Sequence, residues 1–199
     1  MMKKLIFLTI ACSLFLTTKS FGQAESYTSV HYAVSFGMGD LGDYISKASW
    51  RGITLDYRRA INDNLLVGIE AGWHVFYEKK DFDTYTVGNE TLSGVQFRYQ
   101  NEVPILATAD YLIISDSPLK PYIGLGIGTI YSERNTEMGL YRLEENPWQF
   151  ALKGELGVLY KVNFSTSVKF AVKYYNGFKT NSLDNQGYLS INLGMAWDI

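Results

Sequence analysis

The most regular feature of the chain is an alternation of apolar and polar positions with a period of two. In the segment "VHYAVSFGM" (30–38), Val30, Tyr32 and Val34 fall on one side of an extended chain and the intervening residues on the other. Successive side chains of a strand point to opposite faces, so this pattern predicts a strand with one apolar face. The fold class depends on whether that face meets a protein core or lipid.

Seven further segments repeat the alternation, which predicts eight strands at 30–38, 50–58, 65–77, 94–113, 121–131, 148–161, 165–175 and 188–199. Pro104 predicts a bulge in the fourth segment, because proline cannot donate to a sheet ladder. The links between the strands alternate between long polar and short ones, in the order 39–49, 59–64, 78–93, 115–120, 132–147, 162–164 and 176–187. Eight up-and-down strands with both ends on the short-turn side require this alternation, and outer-membrane barrels show it. A sandwich with Greek-key crossings gives no reason for it.

Three observations favour lipid on the apolar side. The apolar faces carry almost no charge, and a Lys or Arg on the outside of a barrel at mid-bilayer costs roughly 2–4 kcal/mol. Large aromatic residues gather at both strand ends, as expected at two membrane interfaces. Those near the long loops are Trp73, Tyr77, Tyr131, Trp148 and Tyr174, and those near the short turns or the terminus are Tyr57, Tyr111, Tyr160 and Trp197. The third observation is that the face opposite the apolar one, which would point into the barrel, is polar. A soluble ligand-binding barrel would have the reverse, an apolar lumen and a polar exterior.

That opposite face combines glycine and alanine with side chains of both charge signs. An eight-stranded barrel has an interior just wide enough for side chains to fill, so small residues leave room for long ones to pair. We therefore predict a luminal polar network, structural or gating in role, made of Asp56, Arg58, Glu70, His74, Arg98, Glu102, Lys153, Glu155, Lys169 and Lys173. The predicted fold class is all-β, an eight-stranded antiparallel up-and-down transmembrane β-barrel with three short periplasmic turns and four longer outer loops.

The N-terminus and the composition indicate a secreted chain without a nucleic-acid partner. Lys3 and Lys4 precede an apolar run at 5–16, and small residues follow, which is typical of a cleaved signal peptide over 1–22. The run is shorter than the ~20 residues that a spanning helix needs. Residues 23–199 then form one barrel domain and contain no cysteine. Charged residues make up 19% of the chain with a net charge of -2, which suggests no nucleic acid as partner.

The signal peptide, the eight alternating strands, the segment "PYIGLGIG" (121–128) and the terminal strand "GYLSINLGMAWDI" (187–199) together resemble a known family. It is the small outer-membrane β-barrel family, which groups OmpA-transmembrane-like and OmpX-like domains of the Gram-negative cell envelope and is often labelled "porin family". The resemblance spans about Tyr27 to Ile199 and implies a bacterial outer-membrane location, with outer-membrane lipid around the barrel. It also implies insertion by the barrel-assembly machinery, which reads an alternating terminal strand that usually ends in an aromatic residue. This chain departs from that pattern, since it ends in Ile199 with Trp197 two places before.

The sequence offers little for catalysis or for a cofactor. An outer-membrane lipid-modifying enzyme needs a His and a Ser together at the lipid-facing rim, and the two histidines, His31 and His74, both lie on the inward face. Acidic pairs at 40–43 and 81–83 lack the ligand spacing and glycine of a calcium loop. The glycines at 124–128 lack the strand–turn–helix context of a nucleotide loop. We therefore expect no catalytic residue, no cofactor and no metal.

Four functional hypotheses remain open, in the following order. The first is a structural or surface-interaction barrel that acts through its outer loops, with cell-surface partners at 78–93 and 133–147. The second is a narrow passive pore, whose gate would consist of Arg98, Glu102, Lys153, Glu155 and Lys169. The third is an outer-membrane enzyme, and the fourth is a soluble lipocalin-like carrier. Because a closed barrel leaves no free sheet edge, we expect a monomer.

Overall fold

The computed structural model describes residues 26–87 and 90–198. In chain order the elements are β1 (Ser26–Met38), α1 (Asp40–Tyr44), β2 (Ser49–Ala60), β3 (Leu65–Val87), β4 (Glu90–Leu112), β5 (Leu119–Met138), β6 (Tyr141–Glu145), β7 (Trp148–Lys161), β8 (Thr166–Gly177) and β9 (Gln186–Asp198). Every sheet pairing is antiparallel, and pairing of β4 with β5 closes the sheet into a barrel. The wall has eight strands, because β6 pairs only with the outer part of β5. The predicted eight-stranded antiparallel barrel is confirmed.

The two ends of the barrel differ as the link lengths predict. Short turns join β2 to β3, β4 to β5 and β7 to β8, and Tyr27 pairs with Asp198 at the same end. We call this the inner end, and we call the end with the longer connections the outer end. Within residues 26–87 and 90–198, no helix has the length and apolarity that crossing a membrane requires. The predicted signal peptide (1–22) and Ile199 lie outside the described residues.

Two predicted outer loops are largely strand. In place of the link at 78–93, β3 runs to Val87 and β4 begins at Glu90. In place of the link at 132–147, β5 turns at Gly139 into β6. Gly139 has a φ of 59°, a left-handed value that glycine adopts at little steric cost. Both segments are rich in polar residues on either face, so hydrophobic periodicity gave no strand signal there although backbone pairing continues.

Strand β6 is the outer continuation of β7. Arg134 pairs with Glu145, and Tyr131 pairs with Trp148, so β5 keeps one register along both strands. The interruption falls at Pro147, which cannot donate a hydrogen bond to the ladder. The ninth strand therefore lengthens the wall outward and does not widen the barrel.

The bulge predicted at Pro104 is wrong. The register between β3 and β4 is the same on both sides of this proline, where Ala71 pairs with Ile105 and His74 pairs with Glu102. The ladder omits the two positions between these pairs, because proline has no N–H to donate. Register shifts occur instead near the outer ends of β2 and β3.

Side-chain burial is the reverse of that in a soluble core. The apolar rows point outward, where Leu125 is 72% exposed and Tyr32, in the row that begins at Val30, is 54% exposed. The polar rows point inward, where Arg58 and Lys169 are fully buried. Outward aromatic side chains form two belts: Trp73, Tyr77, Trp148 and Tyr174 at the outer end, and Tyr57, Tyr111, Tyr160 and Trp197 at the inner end. The inward and outward faces predicted from the alternation are confirmed.

Candidate functional site

The middle of the lumen is an ionic layer. It consists of Asp56 and Arg58 of β2, Glu70 of β3, Asp110 of β4, Lys153 and Glu155 of β7, and Lys169 and Lys173 of β8. Four carboxylates face four cations, and each of the eight residues is at most 3% exposed. A buried charge is costly unless it is paired and hydrogen-bonded, so this layer depends on its own neutrality.

Each of the three lysines of the ionic layer bridges two carboxylates. Lys153 Nζ lies 2.6 Å from Glu70 Oε2 and 2.5 Å from Glu155 Oε2. Lys169 Nζ lies 2.8 Å from Asp56 Oδ2 and 3.3 Å from Glu155 Oε1. Because these residues come from β2, β3, β7 and β8, the ion pairs join opposite parts of the wall across the lumen.

Lys173 and Arg58 complete the ionic layer. Lys173 Nζ lies 2.8 Å from Glu70 Oε2 and 3.5 Å from Asp56 Oδ1. The Arg58 Nε–H donates to Asp110 Oδ2 at 2.8 Å. The alternation predicts an inward-facing Asp110, but the predicted network does not include it. Its partner depends on its height in the lumen, which the register between strands determines.

Two tyrosines that sequence reasoning missed hydrogen-bond to the ionic layer. Tyr122 Oη donates to Glu155 Oε1 at 2.6 Å, and Tyr175 Oη donates to Glu70 Oε1 at 2.7 Å. The Lys169 Nζ also lies 5.1 Å from the centroid of the Tyr122 ring. A phenol offers both a donor and an apolar ring, so these side chains connect the charged layer to the apolar layers beside it.

Glycines on the inward face make room for these long side chains. A Cβ at Gly124 would lie 2.4 Å from Asp110 Oδ1, and one at Gly157 would lie 2.4 Å from Tyr122 Cζ. Real Cβ atoms do not approach other atoms so closely. The glycines of "PYIGLGIG" therefore have a packing role inside a narrow barrel.

Apolar layers lie on both sides of the ionic layer. The outer one consists of Leu41, Ile45, Phe76, Leu106, Ile130, Ala151, Tyr175 and Tyr188. The inner one consists of Tyr27, Leu66, Leu112, Tyr122 and Ala196, with Ala60 and Leu159 packed against it. The outer layer includes residues from the link between β1 and β2, because α1 and the residue after it fold into the mouth and bury Leu41 and Ile45 completely. An ion crossing the lumen would therefore meet two apolar layers.

His74 and Glu102 of the predicted network lie further out and do not join the ionic layer. His74 Nδ1 is hydrogen-bonded to Ser35 Oγ at 2.9 Å. The Glu102 carboxylate accepts hydrogen bonds from Ser132 Oγ at 2.7 Å and from Gln100 Nε2 at 2.5 Å. On the inward face of β3, His74 lies between Glu70 of the ionic layer and Phe76 of the outer apolar layer, and its ring centroid is 5.1 Å from that of Tyr188. On β4, Glu102 lies two inward positions beyond Leu106 toward the outer end.

Arg98 is the remaining residue of the predicted luminal network, and it holds α1 against the barrel wall. Its Nη1 donates to the Tyr44 carbonyl at 2.7 Å, and the guanidinium carbons of Arg98 and Arg134 lie 4.9 and 4.1 Å from the Tyr44 ring centroid. Ser46 donates to the Glu78 carboxylate from its backbone N and from Oγ, at 2.7 and 3.0 Å. Burial raises the pKa of the Tyr44 hydroxyl, which donates to the Asn135 carbonyl and is also hydrogen-bonded to Thr136 Oγ1.

Neither histidine is placed for chemistry at a rim. His31 and His74 are both fully buried in the lumen. His31 Nδ1 lies 3.1 Å from Thr54 Oγ1 and 3.7 Å from Asp56 Oδ2. Among the described residues, no group of three or more His, Cys, Asp or Glu side chains is arranged to hold a metal ion.

Strands β3, β4, β5 and β6 continue beyond the outer aromatic belt as one sheet. From Tyr77 in the outer belt to the end of β3 at Val87, the strand has a length of roughly 33 Å at ~3.3 Å per residue. At the base of this extension, the Tyr77 and Tyr99 ring centroids are 4.9 Å apart. The predicted outer loops therefore form a defined surface.

Comparison with known proteins shows the fold. No family model matches the chain, and no curated protein matches it. Ail, the attachment invasion locus protein of Yersinia pestis solved with the heparin analogue sucrose octasulfate, has a TM-score of 0.56 at 17% identity, covering 89% of this chain and 100% of that one. Neisserial surface protein A has a TM-score of 0.56 at 16% identity, covering 87% and 97%. The outer membrane protein OprG of Pseudomonas aeruginosa has a TM-score of 0.52 at 14% identity, covering 88% and 96%. The chain thus has the fold of the small outer-membrane barrels.

Proposed function

We propose that this chain is an integral protein of the bacterial outer membrane. The observation that carries the proposal is an outward apolar band between two aromatic belts, combined with a charged interior. Outer-membrane barrels have this arrangement, with an apolar band ≈ 25 Å tall that faces lipid. In this proposal a signal peptide at 1–22 is removed, residues 23–199 form one barrel domain, and the barrel-assembly machinery inserts it as a monomer.

A gel comparison tests this location. We expect the chain extracted from outer membranes to migrate differently before and after boiling, because a folded barrel resists detergent until it is heated. The mass of the same protein should correspond to a chain that starts at Gln23. A mature chain that is soluble without detergent and shows no shift would contradict the membrane proposal.

Within the membrane, we assign the chain a structural and surface-interaction role, without catalysis. The filled lumen supports this role, because the ion pairs and both apolar layers leave little free space. The outer extension of β3 to β6 offers a surface of fixed shape for partners. The names of Ail and Neisserial surface protein A, an attachment protein and a surface protein, agree with such a role. The burial of both histidines supports the absence of catalysis.

A narrow passive pore is the second candidate, and the charged lumen is the observation in its favour. Ions would have to cross the apolar layers at Leu41 and Ile45 and at the inner end. We expect no stable channel steps in planar bilayers, either from the wild-type chain or from Glu155→Ala. Stable channel steps from the wild-type chain would contradict the proposed surface role and support the pore. A soluble carrier requires an apolar lumen, and the lumen here is ionic.

A further inference from the structure

The three short turns at the inner end carry exposed apolar side chains. Ile61 lies in the turn after β2, Ile113 and Ile114 lie in the turn after β4, and Phe164 lies in the turn after β7. Phe164 is 96% exposed. Exposed apolar side chains at the end of a barrel are typical of a surface that contacts a membrane or a partner.

A groove separates the turn before β5 from the turn after β7. It has a volume of about 520 Å³ and is lined by Ser115, Asp116, Ser117, Pro118, Lys120, Lys161, Val162, Asn163 and Phe164. The two turns are neighbours because β5 pairs with β7, and the Lys161 N–H donates to the Pro118 carbonyl at 2.8 Å. Pro118, Val162 and Phe164 provide apolar walls. Since the other lining residues are polar or charged, the groove suits a ligand with an apolar part and a charged part.

The groove lies at the depth of lipid headgroups. Leu119 pairs with Tyr160 of the inner aromatic belt, and both side chains are exposed on the outward face. Val162 follows Tyr160 by two residues, which is roughly 7 Å along the chain at ~3.3 Å per residue. The headgroup region is roughly 5–8 Å thick on each side, because the hydrocarbon core measures ≈ 30 Å and the whole bilayer ≈ 40–45 Å. The groove therefore continues the lipid-facing band into the headgroup region, which favours a lipid as its occupant.

The charged side chains of the groove match a headgroup that carries both charge signs. Lys120 has no ion-pair partner among the described residues. Lys161 Nζ lies 3.9 Å from Asp198 Oδ2, which is too long for a hydrogen bond. The exposed Asp116 carboxylate accepts a hydrogen bond from Ser115 Oγ at 3.4 Å, a long contact. Two ammonium groups are thus available for a phosphate, and one carboxylate is available for a cation.

We propose that this groove binds a phospholipid whose headgroup combines a phosphate with a primary ammonium, the chemistry of phosphatidylethanolamine. Lys120 and Lys161 bind the phosphate, and Asp116 accepts hydrogen bonds from the ethanolamine ammonium. Val162 and Phe164 contact the glycerol and the first acyl carbons. A primary ammonium has three N–H donors, whereas the quaternary ammonium of phosphatidylcholine has none, and phosphatidylglycerol has no cation for Asp116. This inference rests on the proposed function, since the groove meets headgroups only when the barrel spans a membrane.

The test is native mass spectrometry of the full mature chain, released from nanodiscs that contain equal amounts of phosphatidylethanolamine, phosphatidylglycerol and phosphatidylcholine. We expect the wild type to retain phosphatidylethanolamine about fivefold more often than either other lipid, which is the scale of an exposed charge pair. Lys120→Met should lower this retention about fivefold. Asp116→Asn should reduce the preference over phosphatidylcholine to about twofold or less. The matched control is Lys47→Met, which removes an exposed lysine from the outer link between β1 and β2 and should leave retention unchanged.

Four results would overturn the assignment or the function on which it rests. Equal retention of the three lipids by a wild type that shows the heat-dependent gel shift would refute the headgroup site and leave the membrane proposal standing. Unchanged retention in Lys120→Met, with the same gel shift, would show that the groove is not used. A photo-crosslinking amino acid in place of Phe164 should capture phospholipid in cells, and capture of a periplasmic protein without lipid would refute the proposal. A mature chain that is soluble without detergent and does not enter nanodiscs would overturn the proposed function itself.

Discussion

Neutrality of the ionic layer can be tested by removing one charge from it. In Lys153→Met, the new side chain is about as long as the aliphatic part of the lysine. Glu70 and Glu155 lose the ammonium that they share, which lies 2.6 and 2.5 Å from their carboxylate oxygens. The ionic layer then contains four carboxylates and three cations, with each of these side chains almost unexposed. Removing one partner of a buried ion pair costs about 3–5 kcal/mol, because the other charge is left uncompensated.

A second substitution separates the charge imbalance from the lost contact. Glu155→Gln in the Lys153→Met background restores three carboxylates and three cations, and the amide oxygen introduced by this change can still accept the hydrogen bond from Tyr122. Lys169 keeps Asp56 at 2.8 Å. We therefore expect the double variant to recover much of the loss and to unfold within about 2 kcal/mol of the wild type, since replacing a buried pair by neutral groups is often nearly neutral.

Equilibrium unfolding of the barrel in lipid bilayers, followed by tryptophan fluorescence, measures both effects as free energies of unfolding. The control is Arg142→Met in β6, because the Arg142 side chain is 54% exposed and its partners Glu137 and Glu144 are 42% and 44% exposed. These exposed pairs should contribute at most ~1 kcal/mol. The reasoning would be refuted by a Lys153→Met loss below about 1 kcal/mol, the range of an exposed pair, or by a double variant as unstable as the sum of its single variants.

Two further predictions concern a packing contact and an exposed ion pair. Gly157→Ala should cost about 1–3 kcal/mol in unfolding free energy, because its Cβ would lie 2.4 Å from Tyr122 Cζ. Gly154→Ala on the same strand is the control, since nothing lies within 4 Å of its Cβ. In the outer link between β8 and β9, the hydrogen bond and charge of Lys179 lower the pKa of Asp184. Lys179→Met should raise that pKa in a carboxyl NMR titration, and an unchanged value would contradict the pair. Because the folded pKa is the lower one, any stabilisation by the pair is present above the unfolded pKa and is lost as pH falls through the folded pKa.

The wall and the direction of its side chains could be predicted from the sequence, because both follow from a period of two. Tyr32 faces outward and Lys169 inward for this reason alone. The composition of the ionic layer was only partly predictable. Alternation tells which face a residue occupies, but its height in the lumen depends on the register between strands. Arg98 and Lys153 both point inward, yet Arg98 reaches α1 and Lys153 reaches Glu70.

The outer apolar layer and the extension were not predicted, for two physical reasons. Helix α1 has five residues, too few for a periodic pattern, and its apolar contribution is only Leu41 followed four positions later by Ile45. In the extension, strand pairing persists where neither lipid nor a packed core selects apolar residues. Only Gly139, at the turn into β6, gave a local signal for the hairpin.

The ionic layer also stabilises one register between the strands of the wall over registers shifted by one residue. A slip of one residue in β8 would turn Lys169 and Lys173 toward lipid, since neighbouring strand positions face opposite sides. Each lysine near mid-bilayer would then cost roughly 2–4 kcal/mol, and the carboxylates left in the lumen would lose their partners. A slipped register therefore raises the free energy in two ways, because lysines face lipid and buried carboxylates lose their partners. In a barrel with an apolar lumen, no buried carboxylate would lose a partner.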